Sequence, residues 1–166
     1  MPTQTEKFIG LLKSPVKFRL FLFYRIPSAF FSGVRIREIA EERSEVTVPY
    51  KWFSQNPFRS TYFACLGMAA EMSAGSLAMA HSYKSDPPVS MLVVGLESKY
   101  FKKATGLTTF LCTDGMAVKA AIEEAVRSGQ PQTLVMKSTG TNEAGDPVAE
   151  FLITWSFKAK TKVLTK

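Results

Sequence analysis

Tyr62-Phe63-Ala64-Cys65-Leu66-Gly67-Met68-Ala69-Ala70-Glu71-Met72-Ser73-Ala74-Gly75-Ser76-Leu77-Ala78-Met79-Ala80 is a run of nineteen residues with a single charge, Glu71. Its length would suit a membrane span. Ala, Gly and Ser dominate it, however, and an acid at its middle would cost about 3 kcal/mol on insertion scales. The better reading is a helix over residues 58 to 80, apolar nearly all round and therefore enclosed by the rest of the protein. An antiparallel sheet curled around it satisfies that demand, since the sheet buries one face on the helix and leaves the helix nothing to expose.

The flanking sequence supplies that sheet. Upstream, Val34 and Ile36, then Val46, Val48 and Tyr50, alternate on either side of the charged stretch Glu41 to Glu45, the pattern of a strand hairpin. Downstream of Asp86-Pro87-Pro88, an apolar run from Val89 to Leu96 continues through Tyr100 and Phe101 as a strand. Leu107, Thr109 and Leu111 alternate as the next. Asp114 is the expected N-cap of a second helix over 116 to 127, with Val118, Ala121, Ile122, Ala125 and Val126 at helical spacing and Gly129 at its end. Two last strands, 133 to 139 and 148 to 157, flank a turn of Asn142, Gly145, Asp146 and Pro147. Residues 6 to 24 read as one basic amphipathic helix, suited either to capping a sheet edge or to touching a membrane. The expected fold is therefore α+β, a curled antiparallel sheet around one central helix. An N-terminal helix and turn, 1–33, precedes the main unit, 34–166, in a single structural domain.

At 166 residues, 46% hydrophobic and 21% charged, the chain is an ordinary globular length and composition. The net charge of +7 favours an anionic partner. Nucleic acid is not expected, because the bases run from Lys7 to Lys166 without a recognition module. Cys65 and Cys112 are far apart, lack metal-ligand spacing and read as buried free thiols, which points to a cytoplasmic location and to no metal. Lys17, Arg19 and Arg25 interrupt what a signal peptide would keep apolar.

The segment Asn56-Pro57-Phe58-Arg59-Ser60-Thr61-Tyr62-Phe63-Ala64, leading to Ala70-Glu71, resembles the signature of the phenylacetate-pathway and related acyl-CoA thioesterases of the hotdog superfamily. There an Asn precedes the central helix, a His-Gly-Gly triplet opens it and an Asp or Glu follows on it. Tyr100-Phe101-Lys102-Lys103-Ala104 is similar to the family's aromatic, apolar, basic, Pro, Ala segment, with Lys103 in place of Pro. The similarity in element order runs from about residue 34 to 157 and looks nearest to the domain-of-unknown-function branch of the fold. It implies a hotdog thioesterase acting on acyl-CoA, with coenzyme A as part of the substrate and no other cofactor, working as a homodimer or a dimer of dimers. It assigns Glu71 as general base or nucleophile and Asn56 as a holder of water or of the acyl carbonyl. Tyr62, Phe63 and Ala64 stand where the oxyanion triplet would be, without its glycines.

The residues carry other readings beside these. An acid alone among Gly, Ala and Met is desolvated, which raises its pKa toward that of a base useful at neutral pH. It could equally pair with Arg59, Lys99 or a partner subunit's base. Asn56, Ser60 and Thr61 could be loop or capping residues. Lys99, Lys102 and Lys103 form the sharpest basic cluster and could receive coenzyme A phosphates, or be a solvated strand end. His81, the only histidine, reads as a surface residue about 15 Å along the helix from Glu71, which disfavours a dehydratase. A non-catalytic acyl-CoA or lipid binder that lacks the oxyanion glycines is the alternative function.

Overall fold

The computed structural model describes residues 3–160; residues 1–2 and 161–166 of the expected domain lie outside it. The chain begins with three short helices, not the single one expected over 6 to 24: α1 (Gln4–Leu12), α2 (Pro15–Arg25) and α3 (Pro27–Ser32). Two prolines make the breaks. Proline has no N–H to continue a helix but is at ease in its first turn, and here Pro15 and Pro27 each open one. Thr3 caps α1 in a reciprocal box with Glu6. Gly33, at φ 83°, ends α3 in the left-handed conformation that a side chain resists.

Then follow β1 (Arg35–Ile39), β2 (Ser44–Val48), a 3-10 turn (Trp52–Ser54), α4 (Phe63–Ser82), β3 (Val89–Tyr100), β4 (Thr108–Cys112), α5 (Gly115–Ser128), β5 (Gln132–Thr141) and β6 (Pro147–Ala159). The six strands form one sheet in the order β1-β2-β4-β5-β6-β3, every neighbouring pair antiparallel. Residues 58 to 62, expected to begin the long helix, are instead loop. Arg59 sits at φ 57° and Gln55 bridges Thr61, so α4 starts only at Phe63.

α4 is the one described helix long and apolar enough to cross a membrane, and here the sheet curls around it instead. Twelve of its twenty residues are buried. Their small size lets the strands come close, and the buried hydroxyls find partners where they do. Ser73 Oγ lies 2.7 Å from Ser138 Oγ on β5, and Ser76 Oγ donates to Ser44 Oγ on β2 at 2.9 Å. Phe110, Phe151, Phe157, Leu77, Met136 and Ile153 fill the space between helix and sheet. At Gly140 a methyl group would come 2.5 Å from the Phe110 ring, so only glycine fits beneath it. This sheet wrapped around a buried helix is the hotdog arrangement.

Two local expectations are sharpened. Asp114 is the N-cap residue of α5 as expected, but its carboxylate accepts from the Lys137 N–H at 2.7 Å instead of from the helix, tying the helix start to β5. His81 is half-buried rather than a free surface residue, and its Nε2 sits 2.8 Å from the Glu41 carbonyl oxygen, fastening the end of α4 to the β1–β2 turn.

The two sheet edges differ. β1 is five residues long, charged, and bulged between Ile36 and Glu38, features that discourage further pairing. β3 is twelve residues long and exposes Leu92, Val94 and Leu96.

Candidate active site

Residues spaced three and four apart on a helix share a face, so Ala64, Gly67, Met68 and Glu71 form one stripe of α4. This stripe and residues of β3 and β6, Val93, Leu96, Tyr100, Phe151 and Ile153 among them, enclose a cavity of about 400 Å³. Glu71 is the one carboxylate among the residues that line it. Burial among these apolar groups holds the Glu71 carboxyl above the ordinary carboxylate range, because the charged form loses hydration. No hydrogen bond or ion pair engages Glu71 among the described residues. The suggested intrachain partners are elsewhere: Arg59 lies in the loop beside Tyr50 and Trp52, and Lys99 faces Glu150 across β3 and β6.

The carboxylate leans toward the C-terminal end of the helix. A methyl group on Gly75 would come 2.7 Å from Glu71 Oε1 and 3.4 Å from Trp155 Cζ2. Trp155 is itself buried, and its indole N–H has no acceptor among the described residues. Gly75 and Trp155 were not identified from sequence. The glycine four residues after Glu71 was the available signal, since i and i+4 are neighbours on a helix.

A second cavity of about 530 Å³ lies at the start of α4, lined by residues 56–58, 60–63, 66 and 100–104. Phe63 and Tyr100 line both cavities, with ring centroids 6.4 Å apart at 82°, so this aromatic pair is their common wall. The Phe63 and Ala64 N–H groups belong to the first turn of α4, where no carbonyl of the helix itself can accept from them. Tyr62 is the N-cap; its N–H donates to the Ser54 carbonyl at 2.7 Å, and its ring and that of Phe63 are exposed.

Asn56 borders this second cavity with its amide already engaged. Its Oδ1 accepts from the Phe58 N–H at 2.9 Å and the Ser60 N–H at 3.3 Å, while Nδ2 donates to Ser60 Oγ at 3.1 Å and reaches the Thr61 carbonyl at 3.5 Å. It shapes the loop that leads into α4 and does not meet Glu71, which lines the other cavity. The basic cluster also divides. Lys102, paired with Asp146 at 2.5 Å, and Lys103, 3.4 Å from the Phe58 carbonyl, line the second cavity. Lys99 instead borders a shallow hollow with Glu97 and Glu150. No group of three or more His, Cys, Asp or Glu suited to a metal exists among the described residues.

Solved structures share this architecture. PA5026 from Pseudomonas aeruginosa, of unknown function and named a probable thioesterase, is 19% identical with a TM-score of 0.72, covering 96% of this chain and 99% of that one. A protein of unknown function from Chlorobaculum tepidum is 16% identical, with a TM-score of 0.74 over 91% and 99%. The thioesterase HI1161 from Haemophilus influenzae is 12% identical, with a TM-score of 0.65 over 91% and 94%. At these identities the likeness establishes the hotdog fold. No curated protein matches the chain. By its match over residues 18–157, the chain belongs to the DUF4442 family, a domain of unknown function.

Proposed function

We propose that the protein hydrolyses an acyl thioester of coenzyme A, with Glu71 as general base. The observation that carries this reading is an unpaired carboxylate with a raised pKa, bordering an apolar cavity large enough for an acyl group. The acyl chain occupies that cavity, the thioester carbonyl accepts from the Phe63 and Ala64 N–H groups, and Lys102 and Lys103 meet the phosphates. Glu71 takes a proton from water as the water oxygen bonds to the carbonyl carbon. The tetrahedral intermediate collapses, the carbon–sulfur bond breaks, and the thiolate leaves with the proton that Glu71 returns.

One protomer does not bring these groups together. Glu71 is eight positions after Phe63, about 12 Å along the axis, and the carboxylate leans the opposite way. Catalysis therefore takes Glu71 from one copy and the helix start from another, in a dimer that pairs the exposed β3 edges. Release of free thiol from acyl-CoA substrates of graded chain length tests the chemistry, and a monomer at micromolar concentration by sedimentation would sink the shared site.

A second reading, a binder without turnover, is favoured by one feature. Phe63, 57% exposed, and Tyr62, 45% exposed, crowd the helix start where a thioester must approach the backbone. Tight binding of acyl-CoA with no thiol release would select it.

A further inference from the structure

The N-terminal helices carry a surface that this chemistry does not use. Between Glu6 and Glu38 the sequence has no acid and seven Lys or Arg, equal to the whole net charge of +7. The other fourteen bases are matched by the fourteen acids. α2 is apolar on two faces. Phe18 and Leu22 point inward and are buried, while Val16, Leu20 and Phe23, at helical spacing, are 68%, 53% and 45% exposed. The inward face already serves to cover the domain, so the outward one is left over.

The exposed face is continuous with an aromatic chain. Phe23 meets Phe30 at 5.1 Å, Phe30 meets Phe31 at 5.2 Å, Phe31 meets Phe53 at 5.3 Å, and Phe53 meets Trp52, 75% exposed, at 4.7 Å. Between α2 and β1 runs a groove of about 450 Å³, apolar along Val16, Leu20 and Phe23 and edged by Arg19, Arg35 and Arg37. The Arg19 guanidinium lies 3.8 Å over the Phe30 ring. Burial, then the charges of Arg19 and Arg35, press the Lys51 ammonium below its ordinary pKa, which marks these cations as near neighbours. None of the four is in an ion pair among the described residues.

Unpaired cations beside exposed aliphatic and aromatic side chains complement a surface that is anionic outside and apolar beneath. Nucleic acid would leave Val16 and Leu20 in water, since aliphatic groups offer bases nothing to stack on. We propose that this face docks on an anionic phospholipid bilayer, with lipid phosphates at Arg19, Arg35, Arg37 and Lys51 and one acyl chain in the groove. The proposal is independent of thioester hydrolysis.

Flotation of the full chain with vesicles tests it directly. The protein should rise with phosphatidylglycerol–phosphatidylcholine vesicles at low salt, stay down with pure phosphatidylcholine, and be released by high salt. Arg35→Gln with Lys51→Gln should weaken partitioning by about thirty-fold, the effect of two cations near a charged surface. Leu20→Glu, at an exposed position, should weaken it by about tenfold or more. Circular dichroism like that of the parent secures the comparison. Failure of the parent to float, equal flotation with neutral vesicles, or variants that float unchanged would each overturn the proposal. So would a Leu20→Glu variant altered in subunit number when the parent never floats, because a second copy would then be the occupant.

Discussion

α2 and α4 both carry apolar side chains on more than one face, yet the fold treats them in opposite ways. α4 is built largely of Ala, Gly, Ser and Met, slim enough for a sheet to close over it, and its Glu71 stripe faces a cavity. α2 is built of Phe and Leu, too broad to be surrounded, so one face is buried and the other stands in solvent. Apolar side chains on more than one face therefore do not say by themselves that a helix is enclosed. Side-chain size decides whether neighbours can reach every face, and the unreached face is where binding begins.

The largest effect tests the one charge on α4. Glu71→Gln keeps the shape and removes the basicity, so hydrolysis should fall by about 10²- to 10⁴-fold. Steady-state thiol release with unchanged turnover would remove Glu71 from the chemistry. Next, α2 should respond differently on its two faces. Leu22→Ala, fully buried, should cost about 2–5 kcal/mol, whereas Leu20→Ala, more than half exposed, should change stability by less than about 0.5 kcal/mol. Equal losses in denaturant titration would mean that α2 has no free face. Third, Ala74→Leu in the wholly buried part of α4 should destabilise by about 1–3 kcal/mol through overpacking. A neutral result would show that the sheet is looser than it looks.

The smallest effect concerns pH. With its pKa raised in the fold, Glu71 binds a proton in the native state over a range where the unfolded chain has released it. Its contribution to stability therefore declines as pH rises from the ordinary carboxylate range through the raised value. Glu71→Gln should match the parent's melting temperature at low pH and exceed it slightly at neutral pH. A variant that melts lower at neutral pH would instead reveal a hidden cationic partner.

The strands and both long helices were legible because their patterns are local: alternation in β1, β2 and β4, helical spacing in α5, and a long run with one charge in α4. The break at Pro15 is also written in the sequence, but the amphipathic pattern carries across it and hides the missing N–H. What could not be read is how side chains spend their hydrogen bonds. Asn56 is committed to Ser60 and Thr61, Asp114 to a strand twenty-three residues away, and His81 to a carbonyl forty residues away. The lysines illustrate the same limit. Lys99, Lys102 and Lys103 are neighbours in sequence, but β3 ends at Tyr100, so the chain turns between the first and the other two.

The uneven placement of charge also acts at a distance. The entire positive surplus lies in residues 7–37, with the remainder in balance. An extended anionic surface pulls on a segment so charged before any atoms touch, over a Debye length of about 8 Å at physiological ionic strength. On the docking proposed above, the protein would arrive already turned, its N-terminal helices leading, and a larger share of encounters would begin in the right orientation.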